Sequence, residues 1–260
     1  MRINPVKELW KAGKPAFGTW STIVNHPRYI KLLATAGMDF VVIEMEHSDY
    51  SMGEIGNLCL LAREAGVVPI VRVSGESPHD YTRPLDAGAM GLVLPNVESA
   101  AELESLLQHT KYHPRGKRIL NLRGPHTDYV KTTGAAQLLA LNEQNLTVAM
   151  IEKKCGLDNL EQICAVEGLD AIMVGPDDLS QDLGVPADLQ NPLVVEALEH
   201  IVDVCNRHDM PWGWSCQDYA AAQKWLQRGI RWMPYSNDVA VLFNTFSAAA
   251  TDLKRMSGRQ

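Results

Sequence analysis

The feature that most constrains the fold is a repeating unit, in which an apolar segment of strand length is followed by an amphipathic helix pattern. Eight such units follow one another along the 260 residues. Because parallel neighbours in a sheet need a crossover, usually a helix, this alternation predicts a parallel sheet covered by helices. The predicted strands are AFGTWS, FVVIEME, PIVRV, GLVLPNV, LTVAMIE, AIMVG, PWGWS and RWMPY.

Glycines mark the ends of several of these helices. A glycine at such a place adopts the left-handed conformation that ends a helix without a Cβ penalty. The last helix is predicted over DVAVLFNTFSAAATDLKRM. Eight units in about 250 residues match a closed (β/α)₈ barrel, the TIM barrel. The helix-ending glycines are Gly37, Gly66, Gly88, Gly168 and Gly229.

The main alternative is an open, doubly wound sheet. Its dinucleotide-binding form should carry GxGxxG after the first strand, but the first strand here leads into TWSTIVNHPRY. No linker or low-complexity tract interrupts the pattern, so we predict a single barrel domain over residues 1–260. The one irregular insertion spans residues 112–144. We expect it on the βα side or wrapping the subunit, where it would contribute to substrate specificity.

Composition excludes several classes of partner. The net charge is −7 and no block is rich in lysine or arginine, so we expect neither nucleic acid nor an anionic membrane as a partner. No apolar run approaches the roughly 18 residues that span a bilayer. The five cysteines are scattered and form no CxxC pair, which is typical of reduced thiols in a cytoplasmic protein.

Charged residues follow the predicted strands at the ends where a barrel carries its catalytic groups. Four carboxylates facing one arginine and one histidine would repel one another without a counter-ion. A divalent cation such as Mg²⁺ or Mn²⁺ would resolve this repulsion. Two simpler readings stay open: a lone Glu there can be a solvated cap or an ion-pair partner, and Asp178 in GPDDLS can be a helix N-cap. The charged residues are Glu44, Glu46, His47, Arg72, Glu152 and Asp178.

Over essentially its whole length the chain resembles the HpcH/HpaI family. These are class II, metal-dependent pyruvate aldolases that include 4-hydroxy-2-oxoheptanedioate aldolase and 2-keto-3-deoxy-sugar-acid aldolases. The resemblance implies a (β/α)₈ barrel of the phosphoenolpyruvate/pyruvate type. The segments that carry it are KAGKPAFGTW, DFVVIEMEHS, PIVRV, LDAGAMGLVLPNVESAAE, MIEKKCGLDNLEQICAVEGLDAIMVGPDDLSQDLG and YSNDVAVL.

The resemblance implies a role for each candidate residue. Glu152 and Asp178 match the ligands of a divalent cation (Mg²⁺, Mn²⁺ or Co²⁺). His47 matches the acid/base histidine, and Asp86 the aspartate that pairs with it from a neighbouring subunit. Arg72 matches the arginine at the oxo and enolate oxygen. The remaining matches are Trp20, Gly175 and Pro176 in substrate binding, and Glu44 and Glu46 as hydrogen-bond partners of the cation's waters.

The implied reaction is reversible retro-aldol cleavage of a 4-hydroxy-2-oxo acid to pyruvate and an aldehyde, with the cation as Lewis acid on the developing enolate. With the cation in this role, no Schiff-base lysine is needed. None is expected in the site either, because Lys153 should point away from it. Two alternatives remain: a CoA-ester lyase of the malyl- or citryl-CoA type, and a non-catalytic oxo-acid binding protein. The chain departs from the family pattern at Glu44, at Met150 and in the KRILNLRGPHTDY segment after Arg118.

The resemblance also implies a homo-oligomer. In the family the last helix packs against a neighbouring barrel, in a hexamer built as a trimer of dimers. The large apolar residues of the final unit agree with such packing, because one stripe of an ordinary outer helix would need fewer of them. These residues are Trp232, Val239, Val241, Leu242, Phe243 and Phe246.

Overall fold

The structure, a computed structural model, describes residues 2–75 and 77–259. Eight strands alternate with helices along the chain, as the repeating unit predicts. The strands are β1 (Ala16–Ser21), β2 (Phe40–Glu44), β3 (Val68–Arg72), β4 (Gly91–Leu94), β5 (Leu146–Ile151), β6 (Ala171–Val174), β7 (Trp212–Gly213) and β8 (Trp232–Asn237).

Twelve α-helices lie within the described residues. Their bounds are α1 (Pro5–Lys11), α2 (Arg28–Thr35), α3 (Met52–Ala65), α4 (Pro78–Asp86), α5 (Ala100–Thr110), α6 (Ala135–Gln144), α7 (Lys154–Asp158), α8 (Leu160–Cys164), α9 (Pro176–Asp182), α10 (Pro192–Arg207), α11 (Tyr219–Gln227) and α12 (Asp238–Met256). The last of them has the bounds that the sequence predicts.

The strands pair in parallel in the order β7-β6-β5-β4-β3-β2-β1-β8. The two edge strands meet through an isolated parallel bridge between Cys216 and Tyr235. There the Cys216 N–H donates to the Pro234 carbonyl at 3.0 Å, and the Ser236 N–H donates to the Cys216 carbonyl at 2.9 Å. The predicted (β/α)₈ barrel is confirmed.

Two apolar layers hold the barrel together. The outer layer packs the helices on the strands, and the inner layer fills the barrel itself. Helix α1 closes the barrel's amino-terminal end, since Val6 and Trp10 belong to the inner layer. The Trp10 indole Nε1 donates to the Arg231 carbonyl at 2.7 Å, which fixes the helix there. The sequence analysis did not predict this plug.

The five predicted helix-ending glycines all have positive φ, between +80° and +111°. Gly66 shows the reason. It lies at the carboxyl end of α3, and its N–H donates to the Ala62 carbonyl from the left-handed conformation. The chain thereby leaves the helix and turns directly into β3, which keeps the connections at the amino-terminal ends of the strands short.

The 112–144 insertion does not lie on the βα side, the first of the two places expected for it, and its wrapping of the subunit stays a prediction. It joins α5 to β5, so it runs over the amino-terminal ends of the strands and not on the βα side of its own chain. Its contacts are with the carboxyl ends of α3 and α4: Arg63 reaches the His126 carbonyl at 3.3 Å, and Asp86 pairs with Arg118. Each helix ends near the start of the next strand, so these contacts lie at the amino-terminal end of the barrel. The insertion therefore lines no part of the cavity at the carboxyl ends of its own chain's strands.

Helix α12 is poorly covered by its own chain. Of its 19 residues, only Asp238 is buried. Phe243 and Phe246 are each 67% exposed, and Val239, Val241 and Leu242 are more than 40% exposed. Within residues 2–75 and 77–259, no helix combines the length and the apolar character that crossing a membrane requires.

The close approach of β7 and β8, where the barrel closes, can be tested at Gly213. A Cβ at this position would lie 1.5 Å from the Trp232 carbonyl oxygen, a backbone atom that cannot rotate away. We expect Gly213→Ala to lower the free energy of unfolding by about 3 kcal/mol or more, and the melting temperature by about 6 °C or more, in a circular dichroism scan.

The matched control is Gly53→Ala at an exposed position of helix α3, where the nearest atom to a new Cβ is 3.8 Å away. That change should leave the melting temperature unchanged or raise it, since alanine favours helix more than glycine by about 1 kcal/mol. Equal stability of the two variants would show that β7 and β8 do not approach as described.

Candidate active site

The carboxyl ends of the strands surround a cavity of about 430 Å³. A larger cavity, of about 540 Å³, opens near the amino-terminal ends of the strands, and none of the predicted site residues lines it. The strand-end cavity is lined by Trp20, Thr22, Glu44, His47, Arg72, Met150, Met173, Val174, Gly175, Pro176, Asp177, Asp178, Leu189, Ser215, Gln217 and Asn237.

Glu44 is the most engaged side chain of the site. It ends β2 opposite Arg72 in the parallel register with β3, and it is 1% exposed. Its Oε2 accepts from Arg72 Nε at 2.7 Å and lies 2.5 Å from Nη2. Its Oε1 accepts from the backbone N–H groups of Glu46 at 2.6 Å and His47 at 3.2 Å. One carboxylate thus holds both the arginine and the turn that carries the histidine.

These contacts answer why a charge stands at the end of an apolar strand. A buried carboxylate is tolerated when an opposite charge and hydrogen bonds compensate its lost hydration. Glu44 has both. Its predicted contact with the waters of a cation stays a prediction, because both oxygens already accept from protein groups.

Arg72 is held on its remaining sides as well. Its guanidinium carbon lies 5.0 Å from the Trp20 ring centroid, in a cation–π contact. Nη1 lies 3.3 Å from the Glu46 carboxylate and 3.8 Å from the Met150 sulfur. The Trp20 indole donates to the Ser215 hydroxyl at 2.7 Å, which fixes the ring under the arginine. The guanidinium therefore presents a fixed positive charge to the cavity.

Glu152 follows directly after β5 as a buried carboxylate, 3% exposed, whose Oε1 accepts from the Asn96 N–H at 2.7 Å. Burial raises the pKa of Glu152 to about 7, and the negative charges of Glu46 and Asp178 act in the same direction. The Asn96 N–H and the positive charge of Arg72 oppose them. The side chain thus lies among like charges that an added cation would relieve.

Asp178 is not the N-cap of its helix. The N-cap of α9 is Gly175, which makes no side-chain cap bond, and Asp178 lies in the first helical turn. Its side chain is exposed. Among the residues that the structure describes, it makes no hydrogen bond or ion pair. The N-cap alternative for Asp178 is therefore wrong, and its oxygens are available to a ligand.

The residues around Gly175 fit a hard divalent cation. A Cβ on Gly175 would lie 2.7 Å from Glu152 Oε2 and 2.8 Å from the Met150 methyl, so only glycine lets the backbone come this close to the carboxylate. Glu152 and Asp178 offer two carboxylates, the usual protein share of a Mg²⁺ site whose other ligands are water and substrate oxygens. No group of three His, Cys, Asp or Glu side chains suited to a metal lies within residues 2–75 and 77–259.

His47 lies in the turn after β2 and lines the cavity, and its side chain is exposed. In the described part of the chain, the imidazole has no hydrogen-bond partner. Asp86, its predicted partner, ends α4 at the other end of the barrel, where Arg118 and Asn121 hold it. Since a five-residue strand spans about 16 Å, one chain cannot bring the two side chains together.

Sequence reasoning missed several parts of the site. Leu189 and Gln217 line the cavity from irregular segments after α9 and β7, which carry no strand-end signal. Asp238 acts at a distance from the cavity: its carboxylate accepts from the N–H groups of Ile23 at 3.0 Å and Val24 at 2.8 Å. It thereby fixes the loop after β1. The sequence places Asp238 at the end of the last predicted strand, but nothing in it indicates that this carboxylate holds the loop after β1.

The chain is similar to known proteins over nearly its whole length. The HpcH/HpaI aldolase/citrate lyase family matches residues 17–244. A hydroxypyruvate/pyruvate aldolase of Rhizorhabdus wittichii is 32% identical over 250 residues, covering 95% of this chain and 96% of that protein. A 5-keto-4-deoxy-D-glucarate aldolase of Escherichia coli is 29% identical over 259 residues, covering 97% of each chain.

Two solved structures are similar over nearly the whole chain. An HpcH/HpaI aldolase from Desulfitobacterium hafniense has a TM-score of 0.91 at 31% identity, covering 95% of this chain and 96% of its own. The citrate synthase SbnG has a TM-score of 0.87 at 30% identity, covering 97% and 98%. This chain belongs to the HpcH/HpaI aldolase/citrate lyase family, and it is a carbon–carbon lyase of the aldolase type.

Proposed function

We propose that the protein is a class II pyruvate aldolase, which reversibly cleaves a 4-hydroxy-2-oxo acid to pyruvate and an aldehyde and requires a divalent cation. The observation that carries the proposal is that Arg72 and Asp178 line one cavity at the strand ends, with the buried Glu152 carboxylate directly behind Gly175 and within reach of both charges. The similarity to a hydroxypyruvate/pyruvate aldolase and a 5-keto-4-deoxy-D-glucarate aldolase supports the same chemistry.

Binding of the 2-oxo acid follows from the charges. Glu152 and Asp178 would hold the cation, which supplies a Lewis acid at the oxo and carboxylate oxygens of the substrate. Arg72 faces the same oxygens with a guanidinium that Glu44 and Trp20 hold in place. Gly175 contributes space, since its N–H already donates to the Ile151 carbonyl at 3.0 Å.

The proton transfer falls to His47, whose ring is free to face the cavity. In cleavage, the imidazole takes the proton of the 4-hydroxyl group, and the C3–C4 bond breaks as the C4 oxygen becomes the aldehyde carbonyl. The electron pair of that bond moves to C3 and forms the enolate of pyruvate. Arg72 stabilises the negative charge on the enolate oxygen, and the proton that His47 took from the hydroxyl group balances the one added at C3, which completes pyruvate and restores the neutral imidazole.

The outer wall of the cavity supports a polar aldehyde as the other product. Ser215, Gln217 and Asn237 line it with a hydroxyl and two side-chain amides. The Asn237 Oδ1 accepts from the Ala240 N–H at 2.7 Å, which leaves its amide nitrogen for a ligand. A panel of aldehydes with pyruvate and Mg²⁺, Mn²⁺ or Co²⁺, read by product formation, tests the reaction and ranks the acceptors.

A CoA-ester lyase is the second candidate, because the family includes citrate lyases and a citrate synthase is among the similar structures. Such an enzyme needs cations for the CoA phosphates. Among the described residues that line the cavity, Arg72 is the one Lys or Arg, and it is already paired. Cleavage of malyl- or citryl-CoA in place of any 4-hydroxy-2-oxo acid would favour this candidate. Binding of oxalate without turnover of any 4-hydroxy-2-oxo acid would favour a non-catalytic oxo-acid binding protein.

The proposal includes a homo-oligomer, a hexamer built as a trimer of dimers, in which α12 packs on a neighbouring barrel. The exposed Phe243 and Phe246 support it, because a 19-residue helix gains most of its stability from packing. The separation of His47 from Asp86 within one chain supports it too. A cytoplasmic location belongs to the same proposal, and the five free cysteines support it.

The cation requirement is tested at the two carboxylates. Asp178→Ala and Glu152→Ala should each lose at least about 100-fold of the Mg²⁺-dependent cleavage rate, because one carboxylate cannot hold the ion against its hydration shell. Asp177→Ala is the matched control, since Asp177 is the adjacent exposed carboxylate on the same cavity. If Asp178→Ala keeps full activity in chelator-treated enzyme, the proposed cation requirement is wrong.

The role of Arg72 is tested by Arg72→Lys. Lysine lacks the planar fork that contacts Glu44 through two nitrogens, so we expect kcat/KM to fall by about tenfold or more. Arg207→Lys, at an exposed surface ion pair with Glu161, should have no effect. If the Arg72 variant stays within about threefold of the wild type, a barrier change of about 0.7 kcal/mol, Arg72 is only a structural ion-pair residue.

The assembly is tested by size-exclusion chromatography with light scattering. The wild type should elute as six chains of 28.8 kDa each. A double change, Phe243→Ser with Phe246→Ser, should shift the mass towards smaller species, because two exposed aromatic rings would no longer be buried at the contact. A fully active wild-type monomer would contradict both the packing of α12 and the role of Asp86.

A further inference from the structure

We propose that Arg118 and Asn121 are positioning residues for Asp86, through which the insertion acts on proton transfer in a neighbouring copy's active site. The inference rests on the proposed function. Both oxygens of Asp86 are held by this segment: Arg118 Nη2 lies 2.5 Å from Oδ1, and Asn121 Nδ2 donates to Oδ2 at 3.2 Å. The Asp86 side chain remains 26% exposed, so the held carboxylate still faces outward.

The segment behind Asp86 is packed as a support. The Arg118 side chain is 1% exposed, and its guanidinium lies 4.6 Å from the ring centroid of the buried Tyr112. The Arg118 N–H donates to the Lys111 carbonyl at 3.0 Å. The Asn121 carbonyl contacts His126 Nε2 at 2.9 Å. Its backbone is held by Lys111 and one face of its guanidinium lies on Tyr112, so the arginine is restricted in how it meets the carboxylate.

Local stability does not account for this arrangement. Asp86 is the last residue of α4, where a negative charge opposes the helix dipole. Burying Arg118 also leaves its Nε without a hydrogen-bond partner, a cost of about 1–3 kcal/mol for a buried polar group. An uncharged residue at the end of α4 would avoid both the unfavourable charge at the helix end and the buried, partly unpaired arginine. A carboxylate kept at this place and aimed outward is explained by a contact beyond its own chain.

The other half of that contact is the imidazole of His47, which has no hydrogen-bond partner within residues 2–75 and 77–259. Because Asp86 and His47 lie at opposite ends of one barrel, they meet only between two copies. An aspartate that is fixed in orientation holds a histidine ring in one tautomer and one position, which a mobile carboxylate does not. Arg118 and Asn121 would thus set how well the neighbour's His47 moves its proton, without touching substrate.

A double-mutant cycle tests this. Arg118→Gln should lower kcat for 4-hydroxy-2-oxo acid cleavage by about tenfold, while KM, the inhibition constant of oxalate and the oligomer mass stay unchanged. Arg118→Gln combined with Asp86→Asn should be no slower than Asp86→Asn alone, since the arginine acts through that aspartate. Arg118→Lys should recover part of kcat. Arg115→Gln, at an exposed pair with Glu143, is the control and should match the wild type.

Additive losses of kcat in the double variant would overturn the inference. So would an impaired Asp86→Asn variant together with an Arg118→Gln variant whose kcat stays within about twofold of the wild type. If Arg118→Gln fails to fold or assemble, Asn121→Ala replaces it, because this change removes the bond to Asp86 Oδ2 and keeps Arg118. The same non-additivity with Asp86→Asn is then required. A wild type that cleaves no 4-hydroxy-2-oxo acid would instead overturn the proposed function, and this inference with it.

Discussion

The ion pair between Glu44 and Arg72 is the interaction on which the rest of the site depends. It joins the ends of β2 and β3 at one level of the barrel, because the parallel register places the two residues opposite each other. Through its second oxygen, Glu44 also holds the backbone of His47. A buried pair of this kind is costly to break from one side, about 3–5 kcal/mol, since the other charge is left uncompensated. The arginine and the histidine therefore keep their places relative to each other before any ligand binds.

On the opposite side of the cavity, negative charges are in excess. Glu152 is buried beside Glu46 and Asp178, and burial raises its pKa. Arg72 opposes that shift but is shared with Glu44 and Glu46. A fixed positive charge on one wall and an excess of negative charge on the other leave room for a cation and an oxo acid between them. The narrow space at Gly175 sets how closely the backbone approaches that place.

Much of the barrel could be predicted from the chain, because its signals are local. Gly66 ends α3 in the left-handed conformation that only glycine adopts without strain. The bounds of α12 follow from one amphipathic run. The plug made by Trp10 could not be predicted in the same way, since a seven-residue amphipathic helix looks the same whether it lies on the surface or closes a barrel. Of the two places expected for the insertion, the βα side was wrong, because its irregular sequence carries no period that points to either end of the strands.

The sequence by itself determined the repeating unit, the family, and which residue types collect at the strand ends, because periodicity and the position after a strand are properties of the chain. Only the tertiary structure decided what each charge does there. It paired Glu44 with Arg72, buried Glu152 among like charges, and separated Asp86 from His47 by the length of the barrel. Those outcomes depend on register, on burial and on the end of the barrel at which a residue lies. Strand pairing and packing set these quantities across residues that are far apart in the chain.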